Sequence, residues 1–208
     1  MSPFTRYRLN LPALLAVSLL GAAASGCAPV VVAGAAGAGA GAVAYQERSF
    51  EDAVDDAQIR LEINHYWFQE SEDLYREVQL QVQDGRVLLS GIVPDPETRV
   101  NAVRLAWKAE GVREVINEIQ VTDQSGVVDY ARDTWISTQL KAKLLVDRDV
   151  LSINYSVETV NGTVYLIGIA QSEAELELVT AHARTIEDVK RVVSHVVLKD
   201  DSRRPATP

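Results

Sequence analysis

Ser156-Val-Glu-Thr-Val-Asn-Gly-Thr-Val-Tyr-Leu-Ile-Gly168 decides the fold. It reads as strand, tight turn, strand. Val157, Val164 and Leu166 fall at the alternating positions of strands with one buried face. Asn161-Gly162 is the hairpin signal, because a two-residue turn of the favoured hand needs positive φ at both central positions. Gly168 lies where the second strand is expected to end, at a bend or a close approach that a side chain would block.

The same stretch stands earlier as Gln79-Leu-Gln-Val-Gln-Asp-Gly-Arg-Val-Leu-Leu-Ser-Gly91, displaced by 77 positions. Asp84-Gly85 takes the place of Asn161-Gly162, and Val87, Leu89 and Gly91 match Val164, Leu166 and Gly168. The register holds outward without a gap. Asp56, Ile59 and Ile63 match Asp133, Ile136 and Leu140. Ala106, Val112, Val115, Ile119 and Val121 match Ala183, Val189, Val192, Val196 and Leu198. A fixed offset over this length is internal duplication. Two small domains of one fold follow, and 208 residues accommodate both. Each copy, at about seventy residues, is near the lower limit for an independent core, so the two are expected to lean on one another.

The formal charge is −9. Arg6 and Arg8 are the only charges before Cys27, so without that segment it falls to about −11. Such a chain lacks the clustered cations that phosphate backbones require, which argues against nucleic acid. The single cysteine excludes an intramolecular disulfide. His65, His182 and His195 do not recur between the copies, and no Cys/His spacing suits a metal. No cofactor is expected.

Residues 1–26 read as a secretory signal: Arg6 and Arg8, an apolar run from Leu11 to Ala24, then Ser25 and Gly26 before Cys27. The run is short for a membrane span. The cysteine after Ala-Ser-Gly resembles the bacterial lipobox, which implies a diacylglycerol-modified Cys27 as the mature N-terminus. An ordinary signal with an incidental cysteine is the alternative. Ala28 follows where the inner-membrane retention signal has aspartate, so the resemblance implies the outer membrane. Residues 27–49 form an Ala/Gly/Val-rich tether. Gly37, Gly39 and Gly41 do not follow a strand and are no dinucleotide fingerprint. A flexible tether and a small-residue membrane helix both fit.

Residues 50–123 make the first domain. A helix is expected over Phe50–Phe68, with Ala53, Ile59 and Ile63 inward. Strands follow over Val78–Gln83 and Arg86–Ile92, then a helix over Glu97–Glu110 with Pro96 in its first turn. Gly111 breaks that helix, and Val115–Val121 is the third strand. Residues 124–131 link the copies with little structure, and 132–199 repeat the order. Ser172 and Glu175 form a capping box ahead of a stripe of Leu176, Val179, Ala183 and Ile186. Residues 200–208 read as a disordered tail, with Arg203-Arg204 irrelevant to the fold. The class is α+β: two tandem αββαβ sandwich domains, each a three-stranded mixed sheet with two helices on one face.

The order αββαβ with V-x-(D/N)-G-x-V-x-L-x-G and a following G/D-V-x-x-V-x-N/S resembles the BON domain of bacterial envelope proteins. Asp84-Gly85, Val87, Leu89, Gly91, Gly111-Val112, Val115 and Asn117 carry it first. Asn161-Gly162, Val164, Leu166, Gly168, Val189 and Val192 carry it again. Asp188 and Ser194 stand where the pattern has glycine and asparagine. With the lipobox and tether, the whole looks like the dual-BON outer-membrane lipoproteins. That resemblance implies a non-enzymatic role in envelope integrity, including division sites, and a second domain whose first helix binds anionic phospholipid.

That helix has two apolar stripes. Ile136, Leu140 and Leu144 match the buried stripe of the first copy. Trp135, Thr138, Ala142 and Leu145 form a second stripe, rotated from the first, with Lys141 and Lys143 nearby. Tryptophan beside lysines suits a membrane interface. Packing of Trp135 and Leu145 on the first domain or the linker is the alternative. It goes with a second functional reading, an adaptor that docks periplasmic envelope proteins. The equivalent helix of the first copy carries Glu62 and Glu70 and lacks the pairing, although Tyr66, Trp67 and Phe68 are close by. No nucleophile, acid/base pair or metal set can be assembled.

Overall fold

The computed structural model describes residues 50–122, 127–202 and 204. The signal segment, Cys27 and the tether lie outside them. The first domain runs α1 (Phe50–Glu70), α2 (Glu72–Glu77), β1 (Val78–Gln83), β2 (Arg86–Val93), α3 (Pro96–Ala106) and β3 (Glu114–Val121). The second runs α4 (Val127–Val146), a 3-10 turn (Ser152–Asn154), β4 (Tyr155–Val160), β5 (Thr163–Ala170), α5 (Glu173–Arg184) and β6 (Arg191–Leu198). Each sheet has three strands, the first two antiparallel and the last two parallel, with β2 or β5 central. This is the expected α+β mixed-sheet architecture, duplicated.

The differences are local. α2 is an extra turn, capped by the Ser71 side chain. α3 ends at Ala106, earlier than expected; the Asp95 side chain caps its start, with Pro96 in the first turn. α4 begins at Val127, inside the stretch read as linker. Strand β5 continues past Gly168 to Ala170, so that glycine serves a close approach and not a strand end. A Cβ there would collide with the Asn154 carbonyl, and one at Gly91 with the Glu77 carbonyl.

Both hairpin turns have the expected geometry, with positive φ at Asp84, Gly85, Asn161 and Gly162. A buried carboxylate holds each. Asp56 accepts the backbone N–H of Asp84 (3.0 Å) and Gly85 (2.8 Å). Asp133 accepts those of Asn161 (2.6 Å) and Gly162 (2.8 Å). Asp188 takes the left-handed conformation that Gly111 takes in the first copy (φ 68° and 85°), so aspartate fills the glycine position without changing the chain path. At α5, Ser172 caps as expected, accepting from the Glu175 N–H. The Glu175 carboxylate does not close the box, however; it binds the N–H groups of Leu151 (2.7 Å) and Gln171 (2.6 Å).

Alternation along the central strands builds three apolar layers. Val87, Leu89 and Val93 face Ile59, Ile63 and Trp67 of α1 and Ala102 and Leu105 of α3. Val164, Leu166 and Ala170 face Ile136, Leu140 and Leu144 of α4 and Val179 and Ala183 of α5. The residues between them point the other way. Leu88, Ile92 and Ile116 of one sheet meet Val160, Tyr165, Ile167 and Val193 of the other. The sheets therefore stack back to back, and the helices of the two domains lie on opposite outer faces.

Polar contacts seal the seam. His195 Nε2 and Glu118 Oε1 are 2.9 Å apart, and Arg86, nearly buried, donates to the His195 carbonyl (2.9 Å) and pairs with Glu114 (2.7 Å). Gln120 donates to the Tyr165 hydroxyl and accepts from the Asn161 amide. Arg204, expected to have no structural part, reaches back to Asp84 (3.0 Å) with both side chains buried.

Candidate functional site

The register of α4 decides which residues face outward. Ile136, Leu140 and Leu144 are buried against the sheet. At 3.6 residues per turn, the opposite side must carry Trp135, Thr138, Ala142 and Leu145. The structure places all four there. Trp135 is 63% exposed and Leu145 75% exposed, and both Thr138 and Ala142 are exposed. Trp135 and Leu145 belong to none of the three apolar clusters.

The hydroxyls along this face are turned inward. Thr138 donates to the Thr134 carbonyl and Thr134 to that of Tyr130 (2.8 and 2.9 Å). Their methyl groups remain to join the apolar stripe. Val146 extends it, 79% exposed and eleven positions beyond Trp135. Sequence reading missed Val146 because it is adjacent to Leu145, yet eleven residues is three helical turns, the spacing that would have found it.

The two lysines differ. Lys141 is exposed beside the stripe and attracts Glu158 of β4. Lys143 is half-buried and donates from Nζ to the Thr185 hydroxyl (2.9 Å). At the far end, His182 binds Asp147 (2.6 Å) and holds that carboxylate below its ordinary range. The acid next to the stripe is thus engaged by the His182 ring. Helix α4 carries three cations, Arg132, Lys141 and Lys143, against two carboxylates, Asp129 and Asp133. Helix α1 carries one cation, Arg60, against six carboxylates. The face of α4 is apolar, tryptophan-bearing and mildly basic in an otherwise acidic chain.

Trp67, in the aromatic run of α1, is not part of any such face. It sits at the position equivalent to Leu144, is fully buried, and donates to the Ala102 carbonyl (3.1 Å).

Other concavities are less suited to a ligand. A cleft of about 520 Å³ beside α1 is lined by Asp52, Asp55, Asp56, Asp84, Glu110 and Arg113 among others. Asp56 and Asp84 there already hold the hairpin turn and Arg204. Among the described residues no group of three His, Cys, Asp or Glu side chains is gathered to hold a metal, and no helix is long and apolar enough to cross a membrane.

The family model of the BON domain matches residues 55–123 and 132–200. Over 152 residues the chain is 41% identical to the uncharacterized protein in the gshII 5' region of Anaplasma centrale, spanning 73% of this chain and 99% of that one. It is 33% identical over 170 residues to the outer membrane lipoprotein DolP of Haemophilus influenzae, spanning 81% and 86%. It is 35% identical over 154 residues to the 21 kDa hemolysin of Actinobacillus pleuropneumoniae, spanning 72% and 78%.

Proposed function

The chain belongs to the BON-domain family, with two copies in tandem, and from that premise we propose a non-enzymatic envelope lipoprotein that binds anionic phospholipid through α4. In this reading Cys27 carries the acyl anchor, the domains face the periplasm from the outer membrane, and the protein supports envelope integrity, division sites included. Likeness to an outer membrane lipoprotein over most of both chains supports the location.

The observation that carries the lipid reading is the outward stripe of α4, with Trp135 largely exposed above a fully buried Ile136. An exposed tryptophan contributes on the order of 1 kcal/mol or more when its ring enters an interface. A lysine near an anionic surface adds about 1 kcal/mol, and Lys141 is better placed for this than Lys143, which is bonded to Thr185. Neither contribution alone binds tightly. Added to an acyl chain, they orient a domain that the anchor already holds near the bilayer.

Sedimentation with vesicles of neutral and of anionic phospholipid tests this. Wild type is expected to pellet with the anionic vesicles, and Trp135→Ala and Trp135→Glu to remain in solution while keeping the wild-type circular dichroism. Equal pelleting of all three proteins, or none by wild type, would remove α4 as the lipid-binding element.

A further inference from the structure

The first domain has an outward face of its own, and its charge differs from that of α4. Val54, Leu61, Phe68 and Tyr75 are all large, apolar and exposed, at 49, 72, 60 and 45%. They are spaced seven residues apart, across α1 and into α2. The Phe68 and Tyr75 rings meet edge to face with centroids 5.8 Å apart, so the seam continues past the break at Ser71. The equivalent positions of the second domain are Ala131, Thr138, Leu145 and Ser152, so the repeat does not impose this seam.

A seven-residue apolar period is the spacing that one helix offers to another along a shared seam. Residues seven apart share one face of a helix whatever covers it, and the α4 stripe shows the same spacing, so the charge of the flank decides the occupant. The flank is acidic: Glu51, Asp55 and Glu62 run along one side of the seam, and α1 has six carboxylates against one arginine. Glu62 is kept ionised more readily than usual by the Gln58 amide and the Glu110 N–H. This charge opposes an anionic membrane and complements a cationic partner. The back-to-back sheets place α1 and α4 on opposite outer faces, so both can be occupied at once.

We propose that the Val54–Leu61–Phe68–Tyr75 seam of α1 and α2 docks an amphipathic helix of an envelope protein, with apolar residues at seven-residue spacing and a lysine- or arginine-rich flank. The seam stands independently of the lipid reading of α4.

The test uses the full chain in nanodiscs of neutral phospholipid, with empty discs subtracted. Its ligands are two synthetic helical peptides with the same leucine seam, one flanked by lysine and one by glutamate. Fluorescence anisotropy is expected to show binding of the lysine peptide alone. Leu61→Ser with Phe68→Ser should weaken it about tenfold or more, and hydrogen exchange should show protection on α1. The same double variant should keep anionic-vesicle binding, and Trp135→Ala should keep peptide binding. No binding of the lysine peptide, equal binding of the glutamate peptide, protection on α4 instead, or loss of vesicle binding in the double variant would each overturn the proposal. The last would make α1 a membrane face.

Discussion

Asp56 and Asp133 each close a hairpin with two backbone hydrogen bonds from a buried position. Truncation leaves two turn N–H groups without an acceptor, at about 1–3 kcal/mol. Asp133→Ala is therefore expected to lower the denaturant midpoint without changing the slope, as chemical unfolding would show. Gly168→Ala should be as damaging for another reason, since its methyl would enter the space of the Asn154 carbonyl; a cost of about 1–3 kcal/mol is expected. The glycine was legible because a strand pattern containing glycine signals a close approach. The aspartates were visible only as a matched pair 77 positions apart. Their task depends on where the start of a helix meets a turn 28 residues later, and no local pattern encodes that meeting.

At the scale of elements, two tryptophans on equivalent helices have opposite fates. Trp67→Ala empties a packed site and removes a hydrogen bond, and is expected to cost about 3–5 kcal/mol. Trp135→Ala should stay within about 0.5 kcal/mol of wild type, so its effect on vesicles can be read without a folding correction. Thermal melts of both variants check the contrast. The stripe on α4 was legible from spacing, because a helix that buries Ile136, Leu140 and Leu144 has to expose its other side. The seam on α1 was not. Tyr66, Trp67 and Phe68 form one aromatic run in the sequence, and only the register of α1 separates buried Trp67 from exposed Phe68. The break at Ser71 hides the fourth member, since a helical period is not normally followed across a helix end.

At the scale of the molecule, the sheet-to-sheet layer makes one folding body of two small domains. Leu88 is fully buried there, and a charge at that point cannot be solvated without parting the sheets. Leu88→Glu is expected to split a single calorimetric transition into two. Glu158 adds a pH dependence. Burial in this layer raises its pKa above the ordinary carboxylate range, opposed by Lys141 and the Gln81 amide. The folded chain then holds that proton more tightly than the unfolded one, so stability falls as pH rises from the ordinary to the raised value. Glu158→Gln should raise the melting temperature at neutral pH and flatten that part of the profile. The duplication and the pale cores of half-size domains implied mutual support, but the face that supplies it was hidden. Leu88 and Tyr165 sit between core residues, at positions the alternation assigns to an open face; β2 and β5 are instead buried on both sides, because the second face of each meets the other sheet.

Glu118 and His195, in contact at 2.9 Å, occupy the same position in their respective copies, as do Gln81 and Glu158. Such positions lie on an approximate dyad, where an association of two identical domains would set each residue against itself. Glutamate would meet glutamate. Joining two copies in one chain lifts that constraint and lets each axial position hold unlike, complementary residues. A chimaera of two first domains should therefore fail to pair, because the acid at its centre would have lost its base.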